Sequence, residues 1–320
     1  MKQKIGKWLS IFLPILLGLS LVIYTYNKFT PQQLEEIKLQ FKNADYFYIY
    51  ISLLISAVAL WSRGYRWKYT LEHLGYQPKI STNVMAVCIG YFINMSIPRS
   101  GEVSRALILK KYEDVPFDKA FGTIIAERVV DTFFLLSFIG LAFFLEFDVL
   151  KAFVLDKIPF QKLMLILAIG SALLIGVILM FRYSKFKLIQ TIKQKISGLM
   201  DGVFSIWKME KKWAFLFHSL LIWASYFFMF YITIFALPET SSLSLSTVVI
   251  SFIVGGLAIT LTNSGFGAYP FLMAEILLLY NVPETAGTAF GWLVWTSQTL
   301  MVVLLGTLSF LLLPILNKNK

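Results

Sequence analysis

Long apolar segments separated by short polar ones dominate the chain. Crossing a membrane takes about 20 apolar residues in a helix. Six segments approach or exceed that length: 8–26, 46–62, 120–146, 161–181, 213–237 and 286–313. This pattern predicts an all-α, polytopic membrane protein with a single transmembrane domain over residues 1–320 and no soluble domain.

Two further apolar regions are shorter. Residues 82–97 and 246–261 are too short for comfortable full spans, and each is followed, after a break that contains glycine, by a shorter apolar piece at 103–109 or 268–280. We predict two re-entrant, broken-helix hairpins, 82–109 and 246–280. The break residues are predicted to be Pro98, Gly101, Gly265 and Gly267, because glycine accepts unusual backbone dihedrals.

The two hairpin regions also resemble each other in sequence. The first reads "SGEVSRALILKKYEDVPFDKAFG" from Ser100, and the second reads "SGFGAYPFLMAEILLLYNVPETAGTAFG" from Ser264. Both contain Ser-Gly, an apolar stretch, a tyrosine, Val-Pro and Ala-Phe-Gly in the same order. With two spans before each hairpin and one after it, the halves 1–146 and 161–320 are predicted to form an inverted repeat of the kind found in secondary transporters.

The distribution of lysine and arginine gives the predicted orientation. Loops on the cytoplasmic side of membrane proteins are enriched in these residues. If both hairpins return to the side from which they enter, 22 Lys and Arg residues lie inside and five outside. The prediction is a multi-pass protein of the cell (inner) membrane with both termini in the cytoplasm. The net charge of +11 then reflects topology, and no nucleic-acid partner is expected.

Two amphipathic helices are predicted beside the spans. Thr30 and Pro31, with Gln33 three residues after Thr30, are typical of a capped helix start, and Leu34, Ile37 and Phe41 share one face. Residues 185–207 carry apolar positions at spacings of three or four, flanked by lysines. We favour a helix lying on the membrane surface over a partner-binding site.

Charged residues within these apolar regions are the candidate site. A charge at the centre of a membrane helix costs about 2.5–3.5 kcal/mol on insertion scales, so it persists when it is paired or functional. Glu127 and Asp131 share a helix face, and Arg128 reaches Asp131 at i,i+3. Two interpretations stay open: an ion-pair cluster that braces the fold, or a polar cavity for a charged headgroup. The residues concerned are Arg63, Arg66, Arg99, Glu102, Arg105, Glu127, Arg128 and Asp131.

The predicted net charge of these residues is +2, which favours an anion such as phosphate, a group that arginine binds with two parallel hydrogen bonds. Arg63 and Arg66 could equally be cytoplasmic anchors of their span. His218 is predicted to make an ordinary polar contact, and "GGLA" at 255–258 to allow close helix packing. The sequence contains no metal-ligand spacing and no nucleotide-binding loop, so no metal, no other cofactor and no catalytic residue is predicted.

These motifs resemble a known family. "IPRSGEVSRALILKKYEDVPFDKAFGTIIAERVVD", "RGYRW" at 63–67 and "TNSGFGAY" at 262–269 are similar, in order, to the blocks of the lysylphosphatidylglycerol-synthase transmembrane-region family, also described as flippase-like. Asn263 and Tyr269 depart from the proline and acidic residue often found beside the second block, but they remain candidate binding residues. The soluble aminoacyl-transfer domain of the full synthases is missing from this sequence, so the resemblance implies the lipid-translocating module only.

The predicted function is therefore movement of a polar-headed, anionic or zwitterionic lipid between leaflets, by a protein that is not an enzyme. Two alternatives stay open: an integral-membrane transferase acting on a lipid-linked substrate, with Glu102 or Asp131 as general base, and an accessory subunit that does not transport. Membrane lipids are the expected partners. A second copy of the chain or a separate lipid-modifying enzyme is the protein partner to consider.

Overall fold

The structure is a computed structural model that describes residues 2–98, 100–145, 147 and 206–318, with isolated residues between 164 and 183, and side chains from residue 13 onward. Every regular element in this part of the chain is helical. The helices are α1 (Lys2–Lys28), α2 (Pro31–Asn43), α3 (Tyr46–His73), α4 (Ile80–Ser96), α5 (Gly101–Tyr112), α6 (Phe117–Leu145), α7 (Lys212–Thr233, continued by a 3-10 turn at Ile234–Ala236), α8 (Leu245–Leu261), α9 (Ala268–Leu278) and α10 (Glu284–Leu316).

Four of the described helices are long and apolar enough to cross a membrane: α3, α6, α7 with its 3-10 turn, and α10. They correspond to the predicted spans 46–62, 120–146, 213–237 and 286–313. The predicted span 8–26 falls within α1, and 161–181 lies outside the described residues apart from isolated positions. The predicted amphipathic segment 185–207 is likewise outside, except for residues 206 and 207.

The helices define two ends of the molecule. At the first end, α1 finishes beside the start of α10 through the Lys28–Glu284 ion pair, and α3 begins beside the end of α7, where the Asp45 N–H donates to the Ala236 carbonyl over 2.9 Å. At the second end, α3 finishes beside the start of α7 and α4 begins beside the end of α10. The predicted helix start at Thr30 is confirmed, because Thr30 and Gln33 form a reciprocal capping box.

The first helical hairpin, α4 and α5, opens at the second end. Lys79, just before α4, bonds to Asn317. Leu109 near the end of α5 belongs to one buried cluster with Val115, which precedes α6, and Ala120 in the first turn of α6. Gly101 begins α5 without a left-handed dihedral, so the prediction of an unusual conformation there is wrong. A Cβ at Gly101 would instead collide with the Gly90 carbonyl and lie 2.7 Å from the Asn94 side chain. Glycine is required there for close packing.

The second helical hairpin, α8 and α9, opens at the first end. Between these helices Ser264, Gly265 and Gly267 have φ values of 56°, 78° and 68°, a region that glycine adopts without steric cost. The predicted break at Gly265 and Gly267 is therefore confirmed. Glu275 near the end of α9 lies 3.6 Å from Lys28, so the chain returns to the end from which α8 started.

The two hairpins share local details. Asp114 and Asn281, each just before a Val-Pro pair, have φ values of 53° and 63°. Arg105 and Tyr269 occupy matching places in the two quoted sequences, and each lies against a glycine of the preceding helix. A Cβ at Gly90 would be 3.0 Å from Arg105 Cγ, and one at Gly255 would be 2.7 Å from the Tyr269 ring. The close packing predicted for "GGLA" is thus present at Gly255.

Candidate functional site

Three helices bring the charged residues together in the half of the molecule nearest the second end. Each helix places its charges on one face, because residues three or four apart are neighbours on a helix. The second-end half of α3 carries Arg63 and Arg66, the first two turns of α5 carry Glu102 and Arg105, and α6 carries Glu127, Arg128 and Asp131.

Five of these residues form a buried inner layer, each less than a tenth exposed. Arg66 holds Asp131 through two nitrogens, at 2.8 and 3.3 Å, and Arg63 donates to the same carboxylate at 3.0 Å. Arg105 donates to Glu127 at 3.2 Å, and Arg66 lies 3.7 Å from the same Glu127 oxygen. The pairs form one connected network, with Arg66 joining the two carboxylates.

Neighbouring side chains hold the arginines in place. The Arg105 guanidinium lies 4.1 Å from the centre of the Trp67 ring, and the Trp67 indole N–H donates to Thr123 over 2.8 Å. Arg66 also donates to Ser219 at 3.1 Å, and Arg63 donates to the Tyr226 hydroxyl at 3.3 Å. Contacts from α3, α6 and α7 therefore fix the geometry of the inner layer.

Glu102 and Arg128 form an outer pair in contact with the surroundings. Arg128 donates to Glu102 at 2.7 Å, with side chains 42% and 23% exposed. Arg128 also lies 3.8 Å from Asp131, the i,i+3 contact expected from the sequence. Beside the outer pair is a cleft of about 10 Å³, room for one water molecule at most. It is lined by Val87, Gly90, Tyr91, Asn94, Gly101, Glu102, Arg105 and Arg128.

The charges of this cluster do not cancel. The network contains four arginines and three carboxylates, so one positive charge is in excess. Among the described residues, Glu127 Oε1, Arg66 Nε and Arg105 Nε are also buried without a hydrogen-bond partner. Buried polar groups are normally paired, and each exception needs an explanation.

The structure also places the remaining predicted site residues. Arg63 and Arg66 are buried within the network, so the alternative that they are interfacial anchors is wrong. Pro98 lies in the turn between α4 and α5, and Arg99 lies outside the described residues. Asn263 donates from its side-chain amide to the Met95 carbonyl at 2.8 Å, which links the two helix breaks. Tyr269 packs in an apolar cluster, apart from the charges.

Sequence reasoning missed several supporting residues. Asn94 caps the start of α5 by accepting a hydrogen bond from the Gly101 N–H at 2.7 Å, and Tyr91 bonds to Tyr226 at 3.0 Å. Trp67 stands next to Arg66 in the quoted "RGYRW", which was a usable signal, whereas Tyr226 is one of many aromatic residues on α7. His218 makes the polar contact that was predicted, with Ser62 Oγ 2.7 Å from its Nδ1.

The described residues contain no group of three His, Cys, Asp or Glu side chains placed to hold a metal ion. The three carboxylates of the site are instead paired with arginines. What this arrangement can do chemically is bind charged groups that compete with its own ion pairs.

Comparison with known proteins covers nearly the whole chain. The family model described as "Lysylphosphatidylglycerol synthase TM region" matches residues 11–306. A relative from Methanocaldococcus jannaschii, "UPF0104 membrane protein MJ1595", is 24% identical over 296 residues, which cover 83% of this chain and 82% of that protein.

A second relative matches only in part. "Glycosyltransferase AglD" from Haloferax volcanii is 32% identical over 101 residues, which are 31% of this chain and 16% of that protein. No solved structure matches the chain.

Proposed function

Because the chain belongs to the lysylphosphatidylglycerol synthase transmembrane-region family, we propose that this multi-pass membrane protein moves a polar-headed, anionic or zwitterionic lipid between leaflets. The observation that carries the proposal is the two-layered charge cluster, in which an exposed Arg128–Glu102 pair lies over a buried network with an excess positive charge. Membrane lipids are its proposed partners.

The excess positive charge favours a headgroup that carries a phosphate. Arginine presents a planar fork that matches two phosphate oxygens. Of the four arginines of the cluster only Arg128 is substantially exposed, so it is the proposed first contact. When the phosphate displaces Glu102 from Arg128, the released carboxylate is free to accept a hydrogen bond from an ammonium or hydroxyl group of the same headgroup.

The energies of the pairs indicate which one opens. Exposed ion pairs contribute about 0–1 kcal/mol, whereas removing one partner of a buried pair costs about 3–5 kcal/mol. The Arg128–Glu102 pair is therefore cheap to exchange for a headgroup, and the buried pairs of Asp131 and Glu127 are not. In this proposal the inner layer keeps its ion pairs and supplies a fixed net positive charge, and the outer pair is the part that exchanges with the headgroup.

Passage of a headgroup requires movement of a hairpin. The cleft beside Arg128 holds one water at most, so in this proposal the observed arrangement is the closed one. We propose that α4 and α5 move as a re-entrant hairpin within an inverted repeat, and that the Asn263–Met95 hydrogen bond between the two breaks opens during transport. The shared details at Asp114 and Asn281 support this repeat.

The proposed orientation puts the second end, and with it both chain termini, in the cytoplasm of a cell with the protein in its inner membrane. Lys110, Lys111 and Lys211 lie near that end, in agreement with the enrichment of positive residues in cytoplasmic loops.

The test is redistribution of a fluorescent phosphatidylglycerol between the leaflets of reconstituted vesicles. Arg128→Gln should reduce the rate at least fivefold at matched amounts of folded protein. Lys211→Gln is the control, because it removes an exposed ion pair with Glu72 (3.0 Å) outside the cluster. Equal rates for the two variants would refute the role of the outer pair.

A variant that neutralises Glu102 and Arg128 together addresses the interpretation in which the charges only brace the fold. This change removes both partners of the outer pair and leaves the buried pairs of Asp131 and Glu127 in place, and an exposed pair contributes only about 0–1 kcal/mol. If Glu102→Gln and Arg128→Gln together leave transport intact, an accessory or structural role replaces our proposal. We expect the double variant to accumulate in the membrane and to move no lipid.

The partial similarity to a protein named a glycosyltransferase favours one alternative, a membrane transferase acting on a lipid-linked substrate. Asp131 is a poor general base because two arginines hold its carboxylate, which leaves Glu102. Incubation of purified protein with lipid-linked sugar donors would distinguish the two. Product formation that Glu102→Gln abolishes would favour the transferase, and transport without any product would favour the translocase.

A further inference from the structure

A second cavity lies in the half of the molecule opposite the charge cluster. It is a groove of about 420 Å³ between α1, α2, α9 and α10, within the range of about 300–1,000 Å³ that is common for small-molecule sites. The proposed headgroup route does not use it. Its lining includes Val22, Phe29, Ile37, Phe271, Thr288 and Trp292.

Three helices each present a regular stripe to this groove. On α1 the lining positions are Val22, Thr25 and Tyr26, with Phe29 just after the end of the helix. On α10 they are Thr288, Trp292 and Thr296, which are neighbours along one helix face. Helix α2 covers the groove with Leu34, Ile37 and Phe41, all half-buried, while its charged residues Glu35, Glu36, Lys38 and Lys42 are exposed. The groove is therefore mainly apolar, and the amphipathic helix α2 covers it.

The length of the groove along α10 is close to the thickness of one hydrocarbon leaflet. Thr288 and Thr296 are eight residues apart, so the stripe extends about 12 Å along α10, and half of a hydrocarbon core is about 15 Å thick. At its deep end the groove reaches Gly267 in the second helix break, which packs directly on Gly18 of α1.

Charged residues lie at the end of the groove that is nearest the first end of the molecule. Lys28 donates to Glu284, one turn before Thr288 on α10, and lies 3.6 Å from Glu275, one turn after Phe271 on α9. The hydrogen bond to Glu284 raises the pKa of the Lys28 ammonium. These side chains are partly exposed, as expected where the hydrocarbon gives way to the polar interface.

Thr288 differs from the other threonines of the groove. The hydroxyls of Thr25 and Thr296 donate to carbonyls of their own helices, at 2.8 and 2.6 Å. The Thr288 side chain is buried, and its hydroxyl has no hydrogen-bond partner among the described residues. A buried hydroxyl without a partner loses its hydrogen bonds to water without compensation.

We propose that this groove binds one acyl chain of a membrane glycerolipid, with the ester carbonyl of that chain accepting the Thr288 hydroxyl. An acyl chain matches the apolar stripes and the leaflet-deep length. Its ester end belongs at the interface marked by Lys28, within one or two helical turns of Thr288. The site is distinct from the charge cluster and does not require that the protein transport lipid.

The test uses a phosphatidylcholine probe with a photoreactive diazirine in one acyl chain, reconstituted with the protein in phosphatidylcholine vesicles. After illumination, labelled peptides are mapped by mass spectrometry. We expect labelling to concentrate in segments 22–29, 267–271 and 288–296 rather than on the exposed face of α10 at 300–311. Thr288→Phe, which fills the groove, should reduce groove labelling at least fivefold. Leu304→Phe, at a position that is 59% exposed, should not.

A second pair of variants tests the hydroxyl without changing side-chain volume. Thr288→Val should weaken retention of the probe through detergent washing by roughly two- to tenfold, the value of one hydrogen bond, while Thr296→Val should not. Labelling spread over α10 in proportion to exposure, and unaffected by Thr288→Phe, would overturn the proposal. Measuring lipid redistribution on the same samples separates this outcome from a failure of the proposed transport.

Discussion

Arg66 and Arg128 belong to the same charge cluster but should respond oppositely to substitution by lysine. Arg66 is fully buried and makes three hydrogen bonds, two to Asp131 and one to Ser219. Arg128 is 42% exposed. The change to lysine keeps the positive charge at both positions and removes the planar fork.

The size of the effect follows from the contacts. Lysine at position 66 can replace one bond to Asp131 but not the whole fork. Hydrogen bonds to charged groups are worth about 1.5–3 kcal/mol each, so we expect Arg66→Lys to lower the free energy of unfolding by about 2–4 kcal/mol. For Arg128→Lys the expected loss is about 0–1 kcal/mol, because the pair is exposed.

The measurements are the midpoint of thermal unfolding in a mild detergent and the rate of lipid redistribution per folded protein. We expect Arg66→Lys to show the larger fall in the midpoint and Arg128→Lys the larger fall in rate. Arg66→Lys would be tolerated if Arg66 were only an anchor at the cytoplasmic end of its span. Arg66 is instead fully buried, so we do not expect lysine to be tolerated there. If one of the two variants showed the larger fall in both the midpoint and the rate, the division into a structural inner layer and a functional outer pair would be refuted.

Three further predictions concern other parts of the molecule. Cysteines placed at Lys110 and Glu210 in a Cys88→Ala background should resist an impermeant thiol reagent in intact cells, and labelling at either one would contradict the proposed orientation. Arg105→Lys should lower stability by about 1–2 kcal/mol, because it loses the stacking on an indole ring, and should change lipid redistribution per folded protein less than Arg128→Lys does; a larger loss of redistribution than that of Arg128→Lys would contradict the structural role of the inner layer. Asn263→Leu removes the hydrogen bond to the Met95 carbonyl between the two helix breaks, so the cleft beside Arg128 should open more often. A cysteine introduced in the lining of this cleft should then react faster with a thiol reagent. An unchanged reaction rate would argue against the Asn263–Met95 bond as a gate.

Several features of the fold were predictable because they depend on local sequence. Span length requires only a run of apolar residues, so the predicted spans fall on α3, α6, α7 and α10, although α3 continues to His73, well beyond the predicted end at residue 62. The capped start at Thr30 and the left-handed break at Gly265 and Gly267 also follow from neighbouring residues alone.

The partners of the charges were not predictable in the same way. The sequence placed Arg128 with Asp131, the contact allowed within one helix, but the stronger partner of Arg128 is Glu102 on α5 at 2.7 Å. Arg105 was a candidate for binding a headgroup, but no neighbouring residue indicated that its guanidinium would be buried against Trp67.

The sequence alone therefore determined where the long apolar helices of the described part of the chain lie, where the second hairpin breaks and which charges need compensation. Only the tertiary structure decided which charge meets which, and which of them stay exposed. The physical reason is range. Helix formation and membrane insertion depend on contiguous residues, whereas the environment of Arg66 depends on where α6 and α7 pack against α3, and those segments are more than 60 residues away along the chain.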